Sequence, residues 1–290
     1  MSFPIWWQAA RPKTLVAGVV PVAVGSALAL RDGSFLPLAA GMALLGALLI
    51  QIGTNLTNDY FDFIRGADTA DRLGPARVTQ QGLLKPGAVK AGAFICFALA
   101  VVVGIYLVTV GGWPILVIGL ASVFAGYAYT GGPFPLGYHG LGDVFVLVFF
   151  GLVAVGGTYF LQAHALTSTA LMAAIPVGTL GVALLAVNNV RDAATDARAG
   201  KRTLVVRFGT GFGRAEWVAM VALAFAMPIA LWATGSASSA VLLPLLALPL
   251  VVAPFRLVRN QNGVVLNTAL AATARLQLVF GLLFAVGLAR

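Results

Sequence analysis

The sequence predicts an all-α fold, a polytopic membrane bundle of about nine transmembrane helices forming one domain over residues 1–290. Three observations point there. Of the 290 residues, 60% are apolar and 9% charged, whereas a soluble domain runs near 45–50% apolar and about 25% charged. Mean hydropathy is +0.96. Apolar stretches of about 20 residues, the length a helix needs to cross a hydrocarbon core of roughly 30 Å, recur from end to end. These stretches are continuous, unlike the roughly ten-residue alternating strands of a membrane barrel.

Taken in order, the apolar runs between polar or Gly/Pro breaks give spans near 14–30, 37–57, 88–110, 113–130, 143–162, 168–189, 214–233, 239–256 and 266–288. Met1 to Trp7 lacks the basic, apolar and small-residue regions of a signal peptide, so the first run is expected to be a retained helix. The single cysteine, Cys96, lies inside an apolar run, which leaves no disulfide framework or thiolate metal cluster to consider. Small residues such as Gly151, Gly156 and Gly157 let membrane helices approach closely and need no catalytic role.

Eighteen basic against nine acidic residues give a net charge of +9. In a soluble protein this would suggest nucleic acid, but the cations sit in short loops between spans, so no nucleic-acid partner is expected. Arg11 and Lys13 precede the first span; Arg65, Arg72, Arg77 and Lys85 follow the second; Arg191 through Arg207 follow the sixth; Arg256 and Arg259 follow the eighth. The opposite loops hold little beyond Arg31 and Arg290. The positive-inside rule therefore places the N-terminus and the long loops 58–87 and 190–213 on the cytoplasmic side of the cell membrane, and an odd span count places the C-terminus outside. Both long loops follow even-numbered spans and both carry acidic clusters, which suggests a duplicated helical unit.

Six of the nine acids, Asp59, Asp62, Asp68, Asp71, Asp192 and Asp196, gather at or just after the ends of the second and sixth spans. Carboxylates at a membrane boundary are costly unless paired with cations, so their concentration there points to function. In Asn55-Leu56-Thr57-Asn58-Asp59-Tyr60-Phe61-Asp62, a continuing helix would put Asn55, Asn58 and Asp62 on one face, with Asp59 one turn away from Asp62. In Asn188-Asn189-Val190-Arg191-Asp192-Ala193-Ala194-Thr195-Asp196, the two carboxylates share a face at i, i+4. Two oxygen-rich faces without His or Cys suit Mg²⁺, which takes one or two carboxylates and completes its shell with water and substrate phosphate. Arg72, Arg77, Arg191, Arg198, Lys201 and Arg202 flank the same segments and could grip phosphate oxygens. Topology and lipid anchoring are the alternative reading of any one of these cations.

At this point Asn58-Asp59-x-x-Asp62, Arg77, Asp192-x-x-x-Asp196 and Gly200-Lys201-Arg202-Thr203-Leu204 closely resemble the two aspartate-rich motifs of UbiA-type prenyltransferases. Four further stretches are most similar to the 1,4-dihydroxy-2-naphthoate polyprenyltransferases of menaquinone biosynthesis. They are Ala10-Arg11-Pro12-Lys13-Thr14-Leu15, Asp71-Arg72-Leu73-Gly74-Pro75-Ala76-Arg77, Tyr129-Thr130-Gly131-Gly132-Pro133 and Tyr138-His139-Gly140-Leu141-Gly142-Asp143. The superfamily pattern has a third aspartate four residues after the second; here that position is Gly66, with Asp68 two residues later.

The resemblance implies helices around a central cavity open to lipid, a polyprenyl diphosphate donor, an aromatic acid acceptor, and Mg²⁺ as cofactor. With a naphthoate acceptor it further implies loss of the carboxylate as the ring re-aromatises. Residues and resemblance together nominate Asn58, Asp62, Asp192 and Asp196 as catalytic, and Asn58, Asp59, Asp62, Asp68, Asp192 and Asp196 around the metal. Arg72, Arg77, Arg191, Lys201 and Arg202 are nominated for the diphosphate, and Arg11, Lys13, Tyr129 and Asp143 for the acceptor. Interfacial anchoring is the alternative for Arg11 and Lys13, and a helix-start role the alternative for Asp143. His139 reads as a base or an ordinary loop residue, His164 as a boundary residue, and Arg275 as a cavity cation or a snorkelling one. Other aromatic acceptors, such as 4-hydroxybenzoate or homogentisate, fit the same machinery. A transporter would also have many spans, but its polar site belongs near the midplane, whereas these acids sit at one end.

Overall fold

The computed structural model describes residues 3–68 and 72–290, and every predicted span falls on a helix. α1 (Phe3–Ala10) and α2 (Val16–Arg31) are joined through a 3₁₀ turn at Pro12–Thr14 and bent by 54°. α3 (Pro37–Ile64), α4 (Pro86–Gly111) and α5 (Trp113–Ala128) follow, each with proline in its first two positions, where a missing N–H costs nothing. A 3₁₀ turn at Leu136–His139 leads into α6 (Gly142–Val146), a π-helical stretch at Leu147–Val153, and α7 (Ala154–Ala163), which together make one continuous rod. α8 (Ser168–Arg198), the short α9 (Leu204–Phe208) and α10 (Thr210–Ala233) come next. A 3₁₀ segment at Ser239–Val251 runs into α11 (Val252–Asn260), and α12 (Leu266–Leu288) closes the chain. Pro244 and Pro249 lie within that 3₁₀ segment, where each removes an α-type donor.

Among the described residues, seven of these rods are long and apolar enough to cross a membrane alone, and the bent α1–α2 pair makes an eighth. The ninth expected span is α5, whose 16 residues reach only about 24 Å at ~1.5 Å per residue. The chain is thus a multi-span membrane protein, with seven full spans, one broken span and one short one among the described residues.

The two helices that carry the aspartate motifs are the longest, at 28 and 31 residues. They extend about 42 and 46 Å, against a hydrocarbon core of roughly 30 Å. The apolar pattern alone ends these spans near 57 and 189, but the helices continue without a break through both motifs, to Ile64 and Arg198. Each motif therefore sits on a rigid overhang. α8 is the most enclosed span. Its Leu180 and Val187 share a core with Leu28 of α2, Trp217 of α10, and Phe280 and Phe284 of α12. A smaller cluster joins Ala9, Leu56, Val89 and Ala93 to Val78 and Leu84 of the long loop, so that loop is seated in the fold by its own apolar side chains.

Gly151 and Gly178 explain how the π-helical stretch packs on α8. A Cβ at Gly151 would lie 2.9 Å from the Ala174 carbonyl and 3.0 Å from Gly178 Cα, both unyielding backbone. At Gly156 and Gly157 the nearest atoms are side-chain methyls at 3.3 and 3.4 Å. Gly151→Val is therefore expected to cost about 1–3 kcal/mol through overpacking, read as a lowered unfolding temperature in detergent, with Gly156→Ala close to wild type. Equal shifts in the two variants would refute this account of the contact.

Candidate active site

The first motif is organised around one carboxylate. Asp62 in the last turn of α3 is 2% exposed. It accepts from Arg77 Nη2 at 2.7 Å and from the Tyr138 hydroxyl at 2.6 Å, with Lys201 Nζ 3.5 Å away. Arg77 also places Nε 2.9 Å from Asp68, and Arg72 pairs with the same carboxylate. Asp62, Arg77, Asp68 and Arg72 thus form an unbroken alternation of charge across the overhang of α3 and its following loop. Burial by itself would lower the Arg77 guanidinium, but Asp62 and then Asp68 outweigh it and hold it above its ordinary value. Arg72 is instead lowered, by burial first and by neighbouring Arg77 second.

Asp59 faces a different partner. Its two oxygens accept the backbone N–H groups of Val78 and Thr79, each at 3.3 Å, so it ties the loop to α3. Asn55 likewise donates to the Ala10 carbonyl at 2.9 Å and the Thr14 hydroxyl at 2.8 Å, holding the bend after α1. Asn58 accepts from the Thr130 hydroxyl at 2.6 Å. Asp71 lies outside the described residues.

On α8, Arg191 is buried and forks onto its neighbour Asp192 at 2.8 and 2.6 Å. Its remaining arm reaches Asn267 at 2.7 Å, and Asn267 in turn donates to the Leu73 carbonyl at 2.8 Å. Asp196, one turn on, is approached by Lys201 Nζ at 3.6 Å. The Lys201 ammonium consequently stands between Asp62 of the first segment and Asp196 of the second. It also lies over the Tyr138 ring, 4.8 Å from its centroid.

Beneath this cluster opens a cavity of about 620 Å³. Arg11, Asn58, Tyr129 and Asn188 line its polar end, and Phe145 and Phe149 belong to its apolar wall. Asn58 and Asn188 stand one turn inside Asp62 and Asp192, so each overhanging helix presents Asn to the cavity and Asp beyond it. Arg11 occupies the left-handed region at φ 54°, unusual for a non-glycine residue, at the bend just before Pro12. Among the described residues its side chain makes no hydrogen bond or ion pair, and it faces the cavity.

Several nominated residues are not brought to this centre. Lys13 is exposed, and so is the side chain of Arg202, whose backbone instead donates to the Tyr138 carbonyl at 2.8 Å. Asp143 is buried in the first turn of α6, beside Gly142 and Tyr129, and is not on the cavity wall. His139 stacks on Phe134 with centroids 3.7 Å apart, His164 caps α7, and Arg275 is exposed on the outside of α12. Conversely, Tyr138 and Asn267 were not nominated from sequence. Tyr138 lies in a stretch the resemblance flags, while Asn267 gives no local sign of its partner 76 residues away.

The arrangement is that of a membrane-embedded enzyme whose alternating acids and bases, fit to hold an anion and a cation together, cap an apolar chamber. Residues 18–287 match the UbiA prenyltransferase family, and the chain belongs to it. It is 39% identical to the 1,4-dihydroxy-2-naphthoate octaprenyltransferase of Escherichia coli over 98% of this chain and 94% of that one. It is 36% identical to the enzyme of the same name from Haemophilus influenzae over 98% of this chain and 95% of that one. The fold matches a UbiA homolog from Archaeoglobus fulgidus, bound to GPP and Mg²⁺, with a TM-score of 0.68 and 13% identity, covering 97% of this chain and 99% of that one.

Removing Arg77 would leave Asp62 and Asp68 buried without their common partner. Arg77→Leu is expected to destabilise the protein by about 3–5 kcal/mol, measured by thermal unfolding in detergent. Arg77→Lys, which keeps the charge but cannot fork onto both acids, should lie between it and wild type. A Leu variant as stable as wild type would show that the two carboxylates are satisfied elsewhere.

Proposed function

We infer that this protein transfers a polyprenyl group from polyprenyl diphosphate to 1,4-dihydroxy-2-naphthoate, with loss of the carboxylate, in menaquinone biosynthesis. The observation that carries the reading is the convergence of Asp62 and Asp196, from two separate helices, on one cation above an apolar cavity. The near-full-length similarity to enzymes named for that acceptor selects it from other aromatic acids. The basic loops support, by the positive-inside rule, an N-terminus and a site at the cytoplasmic face of the plasma membrane.

The residues fit Mg²⁺. Among the described residues no three acids close on a single point, yet a cation already stands between carboxylates of both segments, and Mg²⁺ needs only one or two carboxylates beside substrate phosphate. Asp62, Asp192 and Asp196, with Asn58 beneath them, would hold it. Asp59 and Asp68, nominated from sequence as ligands, are read here as a loop anchor, from its two backbone N–H donors, and as the arginine clamp's counter-ion, from its pairs with Arg72 and Arg77; among the described residues neither approaches Lys201, the cation that Asp62 and Asp196 share. When bound, the metal neutralises charge on the departing diphosphate and so weakens the allylic C1–O bond.

The chain's own residues do the rest. Lys201, 3.5–3.6 Å from its two carboxylates, presents its ammonium to phosphate oxygens, and Arg72 lies within electrostatic reach of Asp62 and Asp192. Arg77 and Arg191 are committed to Asp62 and Asp192, so they fix the carboxylates in place. Arg11 faces the chamber from its strained backbone, placed to take the acceptor carboxylate, with Tyr129 beside the ring. The apolar walls, including Phe145 and Phe149, exclude water from a reacting carbon with cationic character.

Purified protein given a polyprenyl diphosphate and Mg²⁺ should prenylate dihydroxynaphthoate in preference to 4-hydroxybenzoate and homogentisate, and chelator should abolish turnover. Product that forms equally well in chelator would sink the metal assignment; preference for another acceptor would sink the substrate. Asp62→Asn and Asp196→Asn should each lose about 10³-fold in kcat, as several kcal/mol of charge stabilisation disappear. Asp59→Asn should lose about 10- to 100-fold, the range for a supporting residue. Equal losses would return Asp59 to the ligand set.

A further inference from the structure

Tyr138 gathers more of the site than any other uncharged residue. Its hydroxyl donates to Asp62 at 2.6 Å, and its carbonyl accepts the Arg202 N–H at 2.8 Å, next to Lys201. Its ring carries two cations, Lys201 Nζ at 4.8 Å from the centroid and Arg65 Cζ at 5.2 Å. Arg65 in turn holds the Thr130 and Gly132 carbonyls, the latter at 2.6 Å, and Arg207 Nη2 donates to the His139 carbonyl at 2.8 Å. The 3₁₀ turn Leu136–His139 is therefore pinned on one side to the end of α3 and on the other to the segment after α8. Among the described residues, no direct hydrogen bond or ion pair joins Asp62 to Asp196; the link runs through Lys201 and this turn.

We propose that Tyr138 is a positioning residue that sets the orientation of Asp62 and the place of Lys201 together, so that the two aspartate segments present one composite site. The inference rests on the prenyltransferase reading and adds a division of labour. The phenol hydroxyl fixes the carboxylate, which acts on the departing diphosphate and so on kcat. The ring face fixes the ammonium through the cation–π attraction, which acts on diphosphate capture and so on donor KM. Burial and the Asp62 carboxylate both push the phenol above its ordinary range, so it stays a donor.

The test compares wild type with Tyr138→Phe and Tyr138→Leu in detergent. Steady-state rates with geranyl diphosphate are paired with Mn²⁺-dependent binding of inorganic pyrophosphate by calorimetry and with thermal unfolding. Tyr138→Phe keeps the ring, so kcat should fall about tenfold, the equivalent of ~1.4 kcal/mol, with donor KM and pyrophosphate affinity within twofold of wild type. Tyr138→Leu should show the same kcat loss and, in addition, donor KM and pyrophosphate Kd raised about tenfold. A Phe variant indistinguishable from wild type, or a Leu variant that differs from Phe in nothing but unfolding temperature, would overturn the proposal. If wild type binds pyrophosphate but prenylates no aromatic acid, the functional reading fails instead. The binding arm still decides on Tyr138, since only the Leu variant should weaken.

Discussion

The structure depends on keeping Asp62 ionised while almost wholly enclosed. A lone carboxylate in such a place would cost several kcal/mol and would take up a proton instead. Arg77, Tyr138 and Lys201 together remove that penalty. Each belongs to a different stretch of chain, so satisfying one carboxylate fixes the first long loop, the 3₁₀ turn before α6 and the segment after α8 relative to one another. The site is thus assembled by electrostatic need at the membrane boundary, while apolar packing builds the bundle below it.

That division explains what could be read from the residues. Spans were legible because lipid demands long continuous apolar helices, and that demand is written locally. Asp192 and Asp196 were legible as a pair because i, i+4 spacing fixes a shared face on any helix. Helix ends were less so: apolarity stops at 57 and 189, but α3 and α8 run on to Ile64 and Arg198 because packing and ion pairs outside the lipid sustain them. The contacts of Asp59 and Asp68 were hidden for a related reason. What separates a metal ligand from a loop anchor is which donors the loop brings back: Val78 and Thr79 return to Asp59 from 19 and 20 residues away, and Arg77 to Asp68 from nine. Lys13 and Arg202 looked equivalent to Arg11 and Lys201 as charges; only the backbone bend at Arg11 and the ring of Tyr138 separate inward from outward.

The pairing of Asn58 with Asp62 and of Asn188 with Asp192 gives the duplicated character of the two loops a physical meaning. In both helices an amide faces the cavity and a carboxylate follows one turn later, beyond the apolar wall. An amide tolerates the dry side of that boundary because it carries no net charge, whereas the carboxylate needs the cations that only the loops supply. The Asn–Asp step thus marks on each helix where the chamber ends and the ionic cap begins. A diphosphate held in the cap would leave the carbon attached to it at the level of the asparagines, with the apolar chamber directly below. On that reading the geometry would separate ionisation of the donor from the space where the reactive carbon meets its acceptor, with the overhang of two rigid helices between those regions.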